Sequence, residues 1–466
     1  MKKSSLTTAV LAGLAGVIGF AGSAGAVNVN PDGTGQVLIY PYYTVEGNQQ
    51  TLISVVNSTD VSKAVKVRFL EAYNSREVLD FNLFLSPYDV WTAAVGDAGT
   101  GAGMVTSDIS CTVPAIPASG VQFSNLAYSG TASDGGPTGL ERTREGYVEL
   151  ISMADVVPGS PSDKAITHGP TQNCNSATLR SDSPDYVAPT GGLFGGGGIV
   201  NVPNGTYFTY NADAIDGFTA TKLWSGSGST SPSLTDANTG PGTATAYVFQ
   251  SGSASVVTAT YSAPDTVDAV SAVFMADAVM NEWVANAGEG QGTDWVITFP
   301  TKRFYVNGTA ADLPPFHQVF SSVNDGQSCD EISLNHDDGN GVWDREEGFA
   351  EQPNDDVFSP PPPDQPASSL CHEVNVISIS DPADPVSVLG STKALNVAPY
   401  GTAGWMKLGL GTGMLPPSNE GVVFTGLPAT GFAAEVYLSG SGGAVSSYAG
   451  AFHHRVERNI STVQVP

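Results

Sequence analysis

Positive charge is scarce in this chain. Lys and Arg number 18 in 466 residues, against 45 Asp and Glu, for a formal net charge of −27. Phosphate recognition needs clustered cations, so nucleic acid is a poor partner, and an anionic membrane surface is poor for the same reason. Charged residues of both signs make up only 14% of the chain, against roughly 25% in ordinary domains. The surface is therefore expected to be built from Ser, Thr, Asn and Gly with scattered carboxylates. Beyond the first residues no run approaches the ~18 apolar residues that a spanning helix needs, so the mature chain is expected to have no transmembrane segment. No Cys-x-x-Cys pair occurs, which argues against a zinc framework. No Gly-x-Ser-x-Gly elbow is present, and His372-Glu373 lacks the second histidine of a His-Glu-x-x-His motif. His453 and His454 sit on a predicted strand, where successive side chains point to opposite faces and do not readily share a metal.

What is present begins with a leader. Lys2 and Lys3 precede an apolar stretch, Leu6 to Phe20, and Ala24-Gly25-Ala26 is a small-x-small cleavage site. Residues 1–26 are expected to be a signal peptide, with the exported chain starting at Val27. The destination would be the cell surface or extracellular space, or the periplasm. The four cysteines, Cys111, Cys174, Cys329 and Cys371, suit two disulfides in such a chain. Neighbour pairing, Cys111 with Cys174 and Cys329 with Cys371, would close one loop-rich excursion in each half.

The most legible stretch runs from Gln36 to Val95. Strands are predicted over Gln36–Val45, Gln50–Asn57, Ala64–Tyr73, Val78–Ser86 and Val90–Val95, separated by turn residues such as Glu46-Gly47-Asn48 and Asn74-Ser75. Val65, Val67 and Phe69 alternate with Lys66 and Arg68, a period of two that predicts one buried and one wet face. The expected fold is mainly β: antiparallel β-sandwich domains, Ig-like or jelly-roll-like, with long loops. Arg144–Asp155 carries apolar residues at both parities, with Tyr147, Glu149 and Ile151 alternating with Val148 and Leu150, and reads as a central strand.

The expected organisation is an N-terminal sandwich over 27–175, a Gly/Ser-rich middle over 176–310, an acidic Pro-rich loop region over 311–370 and a C-terminal β region over 371–466 that packs with the earlier sheets. In the middle, the glycines of 191–198 read as a flexible connection, since no Gly-Lys-Ser/Thr follows them. One helix is predicted near 265–284, opened by Pro264-Asp265-Thr266, with Val267, Val270, Phe274 and Ala278 at helical spacing. Lys302–Val306 reads as a strand whose Lys302-Arg303 pair makes surface salt bridges. The run Pro360–Pro363 favours an extended loop.

The sharpest local motif is His336 to Glu347. Laid on a twelve-residue calcium loop, it offers Asp338, Asn340, the Val342 carbonyl, Asp344 and Glu347 as ligands, with Gly341 at the sharp turn. His336 stands where an aspartate is expected, and no flanking helices are predicted. The competing reading is a β-hairpin with Glu331–Leu334 and Val342–Glu346 as its arms and Asp338–Gly341 as its turn.

Three phrases, Gly35–Tyr43, Val78–Trp91 and Trp295–Arg303, resemble those of uncharacterised exported proteins of proteobacteria. That resemblance implies export and assigns no activity. The resulting expectation is a non-catalytic structural or adhesive protein of the cell surface or extracellular space, such as a matrix, coat or filament subunit. It would associate with itself or with a surface polymer or protein, through edge strands or sheet faces, assisted by divalent cations such as calcium. The alternatives are a secreted carbohydrate-active or other hydrolase on a β scaffold, whose paired acids need no fixed spacing, and an outer-membrane barrel.

Overall fold

The computed structural model describes residues 25–464 apart from 253–254, 309–312, 325, 350–368, 381–386 and 441–444. The leader up to residue 24, the run Pro360–Pro363 and the acids Asp325, Glu351, Asp355 and Asp356 lie outside the described residues.

The architecture is mainly antiparallel β, as the alternation predicts. The predicted N-terminal strands appear as Val37–Thr44, Gln49–Asn57, Lys63–Glu71, Glu77–Leu85 and Val90–Asp97. They divide between two sheets. The eight-stranded sheet runs in the order Asn28–Val29, Asp213–Asp216, Val37–Thr44, Glu145–Val156, Lys63–Glu71, Glu77–Leu85 and Cys111–Val113, with Tyr186–Val187 added on the 145–156 strand. The six-stranded sheet runs Thr206–Asn211, Leu193–Asn201, Gln49–Asn57, Val90–Asp97, Ala102–Val105 and Val121–Gln122. The sheets are open-ended, so the barrel alternative is not met among the described residues.

In the C-terminal half a five-stranded sheet orders Leu395–Val397, Val374–Ile379, Gln291–Thr298, Thr430–Gly440 and Val445–His453. Beside it lies a four-stranded sheet of Gly341–Asp344, Ala403–Gly409, Ala278–Val284 and Arg455–Glu457. One hydrophobic cluster extends from Val27 through Trp91, Tyr147 and Trp295 to Val436, so both halves share a core. The halves are also tied by hydrogen bonds: Thr298 Oγ1 donates to the Pro41 carbonyl at 2.6 Å and the Val374 amide to the Ala72 carbonyl at 3.0 Å. The disulfides are Cys111–Cys174 and Cys329–Cys371, the neighbour pairing. No helix among the described residues is long and apolar enough to cross a membrane.

Several local expectations are corrected. The helix covers Val267–Phe274 only. Met275–Ala276 then pairs with Leu427–Pro428, and Ala278–Val284 enters a ladder with Ala403–Gly409. The window 278–284 carries a second period: Val279 and Trp283 are buried while Glu282 is exposed, and the strand pattern wins once a partner strand is present. Arg303–Val306 is a short helix, not a strand. The end of the C-terminal β region is not one strand but three, Val445–His453, Arg455–Glu457 and Asn459–Thr462, which serve three different sheets.

The glycines of 191–198 are not a flexible connection. Leu193–Asn201 is an interior strand between Gln49–Asn57 and Thr206–Asn211. Aromatic rings lie directly on it: a side chain at Gly197 would collide with Tyr210, and one at Gly198 with Tyr207. Glycine is needed here for close approach, with the neighbouring rings covering the bare backbone.

Candidate functional site: an uncharged sheet face

The second face of the eight-stranded sheet is not wet, although its side chains are charged. Lys66 and Arg68, expected in solvent, are buried. Lys66 pairs with Asp80, and Arg68 lies 3.1 Å from Glu77 and 3.6 Å from Glu149. Arg303 reaches the same Glu149 at 3.0 Å. Nearby, Lys63 pairs with Asp155 and Lys302 with Asp330, each at 2.8 Å, and Arg142 is clamped between Glu71 and Asp134. The Lys302-Arg303 pair is therefore a pair of interior cations, not a surface feature.

The cover over Lys66 and Arg68 is the Ser/Gly-rich stretch near 225–230. Its carbonyls receive Lys66 Nζ at Ser227, Arg68 Nη2 at Thr230 and Asn82 Nδ2 at Ser225. A Gly/Ser chain suits this role because small side chains let its carbonyls approach the buried cations. Burial, with the neighbouring Asp80 charge, pushes the Glu77 carboxyl up to about 7.

The six-stranded sheet is the inverse. Its inner side chains, among them Ile53, Val55, Trp91, Val95 and Phe208, are in the core. Its outer side chains carry no charge on the main strands. One row crosses the sheet as Val90, Val56 and Phe194. The next is Thr92, Ser54, Gly196 and Asn211, and the third is Val105, Ala94, Leu52, Gly198 and Thr209. Val200 pairs with Tyr207 at one corner. Leu52, Phe194, Val90, Val105 and Tyr207 are between 40% and 52% exposed. Four strands spaced ~4.8 Å apart, each with three or four outward residues ~6.8 Å apart, give a face on the order of 400 Å² in projection. Only part of that area is apolar, because the middle row, Thr92, Ser54, Gly196 and Asn211, has no large apolar side chain.

The sequence motif at 336–347 takes a different shape from either reading. Ser333 bridges to Gly409, and Gly341–Asp344 pairs with Gly404–Lys407, so both segments follow the 403–409 strand in one direction. Residues 334–340 bulge out of this interrupted strand, and the chain does not fold back on itself as the expected hairpin. The reversal comes later, at Asp344–Gly348, where Asp344 Oδ1 accepts the amides of Glu346 and Gly348 and Trp343 bridges to Phe349. Asp338 accepts from Asn335 Nδ2 at 3.2 Å, Val342 is buried within the strand, and Glu347 occupies the turn with φ 67°. Asn340 lies over Gly409, where its amide fills the space of a side chain. No group of three or more His, Cys, Asp or Glu side chains placed to hold a metal occurs among the described residues. The bulge instead orders aromatics: His336 stacks on Phe349 and packs against Trp343, which stacks on Trp405 with centroids 4.3 Å apart.

A depression of 390 Å³ lies where the 206–211 and 445–453 strands meet, lined by Pro41, Thr209, Tyr210, Asn211, Phe432, Ala451 and His453. His453 Nε2 faces Asp213 Oδ1 at 3.0 Å, and this carboxylate raises the imidazole to about 9. Its neighbour His454 turns to the opposite side, against the Val296 carbonyl, as strand alternation predicts. The lining contains no pair of carboxylates of the kind a glycosidase uses.

The sequence pattern already held the uncharged face, in the parity of 50–56 and 90–96 that carries no charged residue. It was hidden because the partner strand 193–201 looks like a linker. No family model matches this chain, and no curated protein or solved structure does either.

Proposed function

We propose that this is an exported, non-catalytic structural or adhesive protein of the cell surface or extracellular space, and that it assembles by stacking the outer face of its six-stranded sheet on that of a second copy. The observation carrying this reading is the absence of charge from that face in a chain of net charge −27. Two acidic copies repel wherever their carboxylates meet, and they approach at least cost where neither has any. The exposed Leu52, Phe194 and Val105 side chains supply apolar area, and the Tyr207 ring covers Gly198 beside them. The face is smaller than the ~800 Å² per partner of stable complexes. Single contacts are thus weak, and assembly is concentration-dependent. Two disulfides and a described body without a spanning helix suit an exported protein.

The test is light scattering of the mature protein across a concentration series, with and without added salt. Association should strengthen as salt screens the net charge, and Leu52→Lys should abolish it. A protein that stays monomeric at every concentration, or a Leu52→Lys variant that assembles like the wild type, contradicts the proposal. Adsorption of the monomer to a polysaccharide through this face would replace the second copy with a polymer.

A further inference from the structure

One buried ion pair has the geometry of a reaction. Lys63 and Asp155 face each other directly across the 63–71 and 145–156 strands, and Leu85, in the main core, opposes Lys63 on its other flank. The Lys63 side chain is fully buried and that of Asp155 is 4% exposed. Lys63 Nζ donates to Asp155 Oδ1 at 2.8 Å, so the carboxyl carbon lies one C–O bond beyond the contact. Thr190 closes the other side of the pair. Its hydroxyl oxygen accepts from Lys63 Nζ at 3.4 Å, and its hydroxyl donates to Asp155 Oδ2. The amine, the hydroxyl and both carboxylate oxygens therefore form one closed ring of donors and acceptors. Thr190 itself lies at the surface, which leaves a way out for a small leaving group.

Among the described residues the other buried cations lack this arrangement. Arg68 and Arg142 carry guanidinium groups, which stay charged and do not attack carbon. Lys66 pairs with Asp80, whose side chain is 21% exposed, and gives a second hydrogen to the Ser227 carbonyl. Lys302 and Asp330 are as close and as buried as Lys63 and Asp155. There, however, Lys302 Nζ also donates to the Ser328 carbonyl, and the second Asp330 oxygen accepts the His317 amide, so no hydroxyl links amine to carboxylate.

We propose that Lys63 and Asp155 become joined by an amide bond, a cross-link between two strands that the folded protein makes for itself with Thr190 as proton relay. The Lys63 ammonium gives one proton to Asp155 along their hydrogen bond. As Nζ bonds to Cγ it gives a second through the Thr190 hydroxyl. Both protons end on Oδ2, the Cγ–Oδ2 bond breaks, and Oδ2 leaves as water. Oδ1 remains as the amide oxygen and Nζ keeps one hydrogen. An ammonium and a carboxylate thus become a neutral amide and water, with no outside reactant. Groups held in contact react as if at very high concentration, and the amide removes two charges from a place where burying them is costly. The bond ties residues 92 positions apart. It does not depend on the stacking face.

The test is mass spectrometry of the purified mature protein with its disulfides reduced, intact and after trypsin digestion in urea. The intact mass should fall below that of the sequence by one water. An amide at Lys63 blocks cleavage there, so the digest should hold a fragment ending at Lys66 joined to Glu145–Lys164. Lys63→Arg, which keeps a cation opposite Asp155, should have its full sequence mass, and Thr190→Val should be mostly unjoined. Wild-type protein at full sequence mass, cut after Lys63, overturns the proposal whether or not the variants fold. So does a loss of water that persists in Lys63→Arg. Thr190→Val joined as completely as the wild type contradicts the relay.

Discussion

The two sheets of the N-terminal sandwich solve the problem of their second face in opposite ways. The 63–71 and 77–85 strands put Lys66, Arg68 and Asn82 on that face and then bury them under the Ser/Gly stretch near 225–230. The 49–57 and 90–97 strands put Leu52, Ser54, Val56, Thr92 and Ala94 there and leave them open. The charge needed to keep a face wet has been moved to one that is dry. Chain composition sharpens the contrast, because five of the scarce cations, Lys63, Lys66, Arg68, Arg142 and Lys302, are buried and each is paired with an acid. Alternation therefore identifies which parity is buried against the main core. It does not say whether the other parity meets water, a loop or a second molecule.

The comparison can be broken most forcefully from its buried side. Glu149→Ala leaves Arg303 without its partner and Arg68 with one of two, under cover in both cases. Removing one member of a buried pair costs about 3–5 kcal/mol, and a urea unfolding curve should show a loss of that size. A loss below about 1 kcal/mol would mean that the cover opens readily to water. The second expected effect concerns the edge of the same sheet, where Cys111–Cys174 fastens the 111–113 strand. Replacing both cysteines by alanine should cost about 2–4 kcal/mol by calorimetry.

A third effect follows pH. Glu373 is fully buried with neither carboxylate oxygen hydrogen-bonded, and burial pushes it up to about 8. Its folded value lies above the unfolded one, so the fold binds the extra proton between these two values. Stability from this group is greatest at acid pH and falls as pH rises through about 8. Glu373→Gln should therefore raise the melting temperature at pH 8.5 and change it little at pH 4. An equal shift at both would contradict the assignment. The smallest effect on stability belongs to the open face: Leu52→Lys should change the unfolding free energy by no more than about 0.5 kcal/mol while removing self-association. That split between stability and assembly is what separates an open face from a covered one.

Much of the fold was legible in the residues. The strands from Gln36 to Val95 follow from alternation and turn residues, the central strand over Arg144–Asp155 from apolar residues at both parities, and the cysteine pairing from chain proximity. The errors share one cause, a partner that local sequence does not reveal. Gly195–Gly198 is a strand because Tyr40, Tyr207 and Tyr210 cover it. Ala278–Val284 is a strand because Ala403–Gly409 lies beside it. Lys302 and Arg303 are interior because Asp330 and Glu149 are waiting there. The candidate site was invisible for the same reason, since an uncharged face exists only after four separate segments are aligned.

The stacking face is tested most directly at its middle. The protein has no free cysteine among the described residues, so Ser54→Cys places a single reactive thiol between Thr92 and Gly196. The rate of its labelling by a maleimide should fall as protein concentration rises, and should recover when Leu52→Lys is added. A rate that is the same at every concentration would show that this face never meets a second copy.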